Sequence, residues 1–523
     1  MGDTATVTRR ALAGLSPFEL KDWLLAQARL VARRDGTPVL DAGRGNPDWL
    51  APAAREAFFL LGEFACLRAE LGTVLSPDPG GEDLATFLAG RAHGPGGRLL
   101  RDGLAWAQAG PVGERFLVEL VRGVLGAAYP DPPAILPGVG AVCRAYLAAL
   151  YGWPEDVARD VRLLATEGAS AGVSCLFPAL FVNGLLRRGD HVAVVAPVFT
   201  PYLEILRSPR YGFRIVPLQL DPGRAGQLPP REVDRLADAA IRALVVVNPG
   251  NPVATSLDSD TVEHIASIVE TVRKDLLIVS DDVYGPLAPG YASLSGRLPA
   301  QTIGVFSFSK FFGATGWRLG LISLAAGHVA DRALATLPAA RRAALARRYR
   351  PLAADPGSLD FFRRLTAETR DPAFHHTSGL STPQQVQMAL FALGSLLDAG
   401  DRWGADLRGR LAARRAALWS GLALPAPPVP GHTGYYELLD LATLGAHWGV
   451  EPVAVARLRR GGAMDAVCRL AAAHGVVVLP GAGFGAPVST VRVALANLDA
   501  DGLVQVGQAI RAVIAGARGG VSP

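Results

Sequence analysis

Apolar positions follow two different rhythms along the 523 residues. Between about 130 and 330, short β-branched runs alternate with helical stretches: VRLLAT, HVAVVAP, ALVVVNP, LLIVSDD, TIGVFSFS and LGLISLA. Runs that are apolar at every position are buried on both faces. With helices between them they predict a mostly parallel sheet covered on both sides, an α/β domain. Ahead of it, residues 15–35 predict one helix, with Ser16 at the N-cap, Pro17 at the first helical position and Gly36 at the stop. Residues 52–128 are helical text broken by the Pro/Gly patches SPDPGG and HGPGG, which mark surface loops. Past 330 come long helices to about 420. Residues 430–523 then mix strands (GYYELL, GVVVLPG, STVRVALAN) with helices in an α+β pattern. The expected division is 1–51, an N-terminal segment joining the small domain; 52–128, a helical insertion; 129–330, the large domain; and 331–523, linking helices and the C-terminal small domain.

Length alone argues for more than one core. With 50% hydrophobic and 19% charged residues, the composition is that of a folded chain. The formal net charge of +5 raises the question of a nucleic-acid partner. Its cations are spread out, however, and no basic run is interleaved with aromatics, so none is expected. The densest basic stretch, Arg341, Arg342, Arg347, Arg348 and Arg350 followed by Arg363 and Arg364, reads as a solvated helix face. Cys66, Cys143, Cys175 and Cys468 form no CxxC pair and have no neighbouring His at zinc-site spacing, so no metal is expected and a reducing cytoplasm fits. MGDTATVTRR has no apolar stretch behind its arginines, and no run of about 20 apolar residues occurs, so no membrane segment is expected.

Candidate chemistry begins with a scarcity. Lysine occurs only at Lys21, Lys274 and Lys310; every other Lys/Arg position is arginine. Arginine supplies charge but cannot give up its proton to become a nucleophile, whereas a desolvated lysine can condense with an aldehyde. Lys310 stands in SFSKFFGATGWRLG, a strand followed by a Gly-rich turn, with the hydroxyls of Ser307 and Ser309 beside it and Arg318 eight residues on. At the C-terminal edge of a parallel sheet these groups can converge on a phosphate. A phosphate anchor next to an aldehyde-trapping lysine describes a site for pyridoxal 5'-phosphate.

SFSKFFGATGWRLG resembles the lysine motif of fold-type I pyridoxal-phosphate enzymes, the aspartate-aminotransferase fold. Other stations follow in the family's order. VVVNPGNP resembles the Asn-Pro turn, which implies that its first asparagine, Asn248, bonds the cofactor's phenolic oxygen. SDDVYG implies Asp281 on the pyridine nitrogen and Tyr284 beside the phenolic oxygen. TEGASAG resembles the phosphate loop, with amides around Ala169 and the Ser170 hydroxyl. Phe199 in APVFTPY falls where the family stacks an aromatic on the ring, and Arg492 in VRVALAN falls where it clamps the α-carboxylate. The implied fold is a fold-type I transferase: a large domain with a mostly parallel seven-stranded sheet, a smaller α+β domain, and here an extra helical insertion.

Longer phrases narrow the resemblance. SPFELKDW, DAGRGNPDW, YPDPPAILP, APVFTPYLEI, NPGNP, DDVYG, FSKFFGATGWRLG and HTSGLSTPQQVQMALF together are similar to the bifunctional L-aspartate 4-decarboxylase/aspartate aminotransferase family over nearly the whole chain. NPGNPVAT and the Ala/Arg-rich stretch before 375 match it less well. The resemblance implies decarboxylation of L-aspartate to L-alanine and CO2 with an aminotransferase side activity, amino-acid and 2-oxo-acid substrates, and at least a homodimer. A side-chain carboxylate needs a second cation: Arg44 is the first candidate and Lys21 the second, with Gly45 allowing backbone approach to the substrate. A turn arginine paired to Asp41 or Asp48 is the competing reading of Arg44. The competing functions are a plain aminotransferase for another amino acid and, in a different class, a non-catalytic cofactor-binding protein.

Overall fold

The computed structural model describes residues 12, 14–70, 81–91, 94–110, 112–113, 115–370 and 379–516. MGDTATVTRR, SPDPGG up to its last residue, the first residue of HGPGG and the start of HTSGLSTPQQVQMALF lie outside them.

The first long helix, α1 (Pro17–Asp35), stops at Gly36, whose φ of 67° lets its N–H turn back onto the Ala32 carbonyl. Ser16 occupies the N-cap position but makes no side-chain bond there. Leu20, Leu24, Leu25 and Ala28 of α1 enter one apolar cluster with Val467, Leu470 and Leu503 from the C-terminal part of the chain. Strand β1 (Leu40–Asp41) extends the join by pairing in parallel with Val476–Val477. Next come the inserted helices α2 (Pro52–Glu70), α3 (Gly81–Arg91), α4 (Pro95–Ala109) and α5 (Phe116–Leu125). Their apolar faces, through Leu61, Phe64, Leu99 and Leu120, share a core with the helix at Thr382–Leu396 and with Phe308, Phe311 and Phe312 beside Lys310.

After α6 (Pro137–Tyr151) the central sheet assembles from β2 (Arg162–Thr166), β3 (His191–Ala196), β4 (Arg214–Gln219), β5 (Ile241–Val247), β6 (Leu277–Asp281), β7 (Thr302–Ser307) and β8 (Gly320–Leu324), in the order β2-β8-β7-β6-β5-β3-β4. All the pairings are parallel except those of β8, which runs antiparallel to β2 and β7. The reversal matters for the site: the C-terminal ends of β2, β3, β5, β6 and β7 and the entry to β8 meet at one edge. One sheet face is covered by α7 (Gly168–Val182) and the other by the helix at Ser259–Thr271.

Packing corrects the expected boundary at 330. Val329, Leu334, Leu345, Tyr349, Phe361 and Leu365 lie in the sheet-face core with Ile303 and Ile322, so these helices belong with the large domain. Their apolar faces find complementary surface there, whereas the helix at Arg402–Gly421 packs its Leu418 into the small-domain core. The Ala/Arg stretch is not simply a solvated face either: Arg364 is buried and bonds Asn183, and Arg348 pairs with the buried Glu368 at 2.6 Å. In the small domain β9 (Tyr436–Asp440), the already paired β10 (Val476–Val477), β11 (Leu479–Pro480) and β12 (Thr490–Ala494) complete the strands; β11, β12 and β9 form an antiparallel sheet.

Candidate active site

A cavity of about 330 Å³ opens at the edge where the sheet strands end. Lys310 lies three residues beyond β7, and its Nζ donates to the Gly45 carbonyl at 2.6 Å. The same carbonyl accepts from the Tyr435 hydroxyl at 2.8 Å, so the turn after β1 is fixed against the lysine from two sides. Burial lowers the Lys310 pKa; the positive charges of Arg492 and Arg318 push the same way, while Tyr436 opposes them. A larger neutral fraction of the amine suits it to condense with an aldehyde.

Asp281 ends β6 and is buried. One carboxylate oxygen accepts from the Tyr202 hydroxyl at 2.8 Å and the other from the Val283 N–H at 3.2 Å. Burial pushes its pKa up to about 6 against the pull of these two bonds. Across the cavity, Ala169 and Ser170 open α7 after β2, presenting backbone N–H groups that the first turn leaves unpaired. Arg318 stands just before β8, where the antiparallel strand returns to this edge, and bonds the Thr315 and Glu167 carbonyls at 3.2 Å each. Ser307 and Ser309 share a hydroxyl–hydroxyl bond of 2.8 Å beside it. Together these are anion-binding elements gathered from β2, β7 and β8.

Arg492, on β12, is buried and lies between the rings of Tyr436 and Phe484, 4.5 and 4.6 Å from their centroids. Its terminal nitrogens bond Asn251 at 3.2 Å and the Gly43 carbonyl at 2.7 Å, and its Nε has no partner among the described residues. A buried guanidinium that lines a cavity and keeps an unused N–H has capacity for a carboxylate. Phe199, Tyr284, Gly45, Lys21 and Arg44 also line the cavity. Arg44 is half-exposed and pairs with Asp41 at 3.1 Å, while Lys21 pairs with the exposed Asp22 at 3.0 Å.

One expected residue is misplaced. Asn248 does not line the cavity: its Nδ2 donates to the Ala292 carbonyl, and its Oδ1 accepts from the Leu257 N–H. These bonds brace the turn after β5. The second asparagine of NPGNP, Asn251, faces the cavity between Arg492 and the Tyr284 hydroxyl, 3.5 Å away. Both precede proline, so nothing in the local text distinguished the structural one from the facing one. Tyr202 and Tyr436 were also missed. Tyr202 lies one turn after Phe199 at the start of a helix, a spacing that puts both on one side and could have found it. Tyr436 sits in a strand after a second tyrosine, and the strand's alternation does not say which ring faces the cavity.

A lysine amine, a buried cavity-lining carboxylate and converging anion-binding groups at the carboxyl edge of this sheet define a pyridoxal-phosphate enzyme of fold-type I. The description "aminotransferase class I and II" matches residues 141–510, and the chain belongs to that pyridoxal-phosphate-dependent family. Over 513 residues, 96% of each chain, it is 39% identical to a bifunctional aspartate aminotransferase and L-aspartate beta-decarboxylase of a Pseudomonas species. It is 30% identical over 201 residues to an aspartate aminotransferase of Pyrococcus horikoshii, covering 38% of this chain and 48% of that one. Among solved structures, aspartate aminotransferase from Thermus thermophilus with maleate superposes with a TM-score of 0.59 at 19% identity, covering 98% of this chain and 100% of the other. N-succinyldiaminopimelate aminotransferase from Mycobacterium tuberculosis does so with a TM-score of 0.59 at 20% identity, covering 97% and 100%. These two likenesses show the fold.

Proposed function

We propose that the protein decarboxylates L-aspartate at its β-carboxylate to L-alanine and CO2, with aspartate aminotransferase activity on the side. The observation that carries this reading is the charge of the cavity lining, which among the described residues sets Lys21, Arg44, Lys310, Arg318 and Arg492 against one carboxylate, Asp281. A phosphate and one α-carboxylate account for Arg318 and Arg492. Two further cations at the mouth suit a substrate with a second carboxylate. The whole-length likeness to the Pseudomonas enzyme, named for both reactions, supports the same substrate.

Arg318, Ser307, Ser309, Ser170 and the α7 amides would hold the cofactor's phosphate, Asp281 its ring nitrogen, Asn251 and Tyr284 its phenolic oxygen, and Phe199 one ring face. When bound, pyridoxal phosphate supplies an aldehyde for the substrate amine and a ring that draws electrons from Cα. Asp281 would keep a proton on the ring nitrogen, with Tyr202 holding the carboxylate in place. Arg492 orients the α-carboxylate through its planar fork. Lys310 would remove the Cα proton as general base. Arg44 and Lys21 hold the β-carboxylate near the mouth, from which CO2 can leave. Fold-type I sites are completed across a subunit boundary, so we infer at least a homodimer.

The test compares aspartate with alanine. Arg44→Ala is expected to lose aspartate kcat/KM selectively by about tenfold to a hundredfold, the value of about 1.5–3 kcal/mol for a hydrogen-bonded charge. Equal losses on both substrates would make Arg44 only the partner of Asp41. A selective loss confined to Lys21→Ala would move the β-carboxylate to that lysine. The Arg44–Asp41 and Lys21–Asp22 ion pairs favour a plain aminotransferase for a donor without a side-chain carboxylate.

A further inference from the structure

We propose that the N-terminal segment and the helical insertion together hold the lysine loop in place, through Trp49 and Arg55, and that Arg55 of α2 is a positioning residue for Lys310. The loop's carbonyls are held from outside the loop, residue after residue. The Trp49 indole donates to the Lys310 carbonyl at 3.0 Å and to the Phe311 carbonyl at 3.2 Å. Trp403 also donates to the Phe311 carbonyl, at 3.2 Å. Phe312 O accepts from the Ala51 N–H and from Arg55 Nη1, both at 3.2 Å. Gly313 O accepts from Arg55 Nη2 at 2.8 Å.

Among the described residues, all of Arg55's hydrogen bonds go to carbonyl oxygens, the third being Ala51 O at 2.9 Å. A guanidinium at a solvated helix end pairs with a carboxylate or with water; this one is half-buried, with its carbon 5.2 Å from the centroid of Phe391. The fork reaches two consecutive carbonyls at once, which fixes both their spacing and their direction. Contact between the segments is also made backbone to backbone: a Cβ at Gly313, where φ is 61°, would lie 1.9 Å from the Trp49 carbonyl oxygen. Phe312 packs on Phe391 at 5.1 Å between ring centroids, closing the loop's underside. Through Arg55 the insertion therefore reaches the lysine loop directly, beside the contacts made by Trp49 and Ala51.

The inference rests on Lys310 as the cofactor lysine, and the test separates the two. Holoenzyme variants Arg55→Met, Arg55→Lys, Trp49→Phe and Arg68→Ala are compared for kcat, for KM of the amino acid, and for the pH midpoint of the bound cofactor's visible absorption. Arg68 shares α2 but pairs with Asp83 at 3.7 Å, away from the loop. Displacing a reacting group by about 1 Å costs up to about a hundredfold in rate. Arg55→Met is accordingly expected to lower kcat about tenfold to a hundredfold while KM stays within about twofold. The pH midpoint should rise, because a looser loop admits water and solvation favours the charged nitrogen. Arg55→Lys should recover part of both losses, Trp49→Phe should show the same pattern at smaller amplitude, and Arg68→Ala should change neither. If Arg55→Met does not fold, Trp49→Phe decides. Wild-type kcat and midpoint in the folded Arg55→Met, or in Trp49→Phe where it must decide, would overturn the proposal. A wild-type holoenzyme without the visible band would instead count against Lys310 as the cofactor lysine.

Discussion

At the scale of single residues, Asp281 shows how burial prepares a group for a partner. In the apoprotein its pKa stands near 6 against an ordinary 3.8, because burial favours the neutral acid. The stabilising contribution of the protonated form is complete below about 3.8 and is lost as pH rises through about 6. An asparagine side chain cannot titrate, so Asp281→Asn apoprotein is expected to gain stability over wild-type apoprotein as pH rises from 4 to 8. The gain should be on the order of 3 kcal/mol. With cofactor bound the order should reverse at pH 8, since only the carboxylate pairs with a protonated ring nitrogen. Denaturant unfolding of both apoproteins at the two pH values checks this, and a stability difference that does not change with pH would contradict it. The position of Asp281 at the cavity was legible because a strand-end carboxylate followed three residues later by Tyr284 is a compact pattern. Asn248 was not read correctly, because two identical Asn-Pro steps differ only in which carbonyls and amides surround them after folding.

At the scale of elements, the turn after β1 carries more of the site than its short text suggests. Gly45 receives the Lys310 amine on its carbonyl and has no room for a side chain: a Cβ there would lie 2.3 Å from the Tyr436 hydroxyl oxygen and 3.6 Å from Lys310 Nζ. Gly45→Ala should therefore lower kcat by about tenfold to a hundredfold with the fold intact. Adding Tyr436→Phe, which removes the clashing oxygen, should return part of that loss. If the double variant is as slow as the product of the two single effects, the contact is not the cause. Sequence pattern found the buried strands well, since β3, β5, β6, β7 and β8 are continuous apolar runs. It missed β4, an edge strand with Pro217 and largely exposed positions, whose pairing with β3 alone asks for neither apolar continuity nor every N–H. It also drew the domain boundary too early, because helices at 329–368 carry an apolar face whose destination becomes visible only when the sheet is in place.

At the scale of the molecule, the two domains and the N-terminal segment meet around one cavity, with the insertion packed behind the lysine loop. The large domain supplies Lys310, Asp281 and Arg318, the small domain Arg492 and Tyr436, the N-terminal segment Lys21, Arg44 and Gly45, while Trp49 and the insertion's Arg55 bond the lysine loop. Order along the chain and the five cations were readable from motifs; the pairings that bring them to one cavity, β1 with β10 and the reversed β8, were not. That convergence is the basis for a dicarboxylic substrate. The most direct measurement incubates the purified protein with pyridoxal phosphate and L-aspartate, first alone and then with a 2-oxo acid, and follows CO2, alanine and oxaloacetate together. The account predicts that CO2 and alanine appear in equal amounts without any 2-oxo acid, with oxaloacetate as a minor product that grows when one is added. Oxaloacetate formed only with the 2-oxo acid, and no CO2 beyond its spontaneous breakdown, would contradict it.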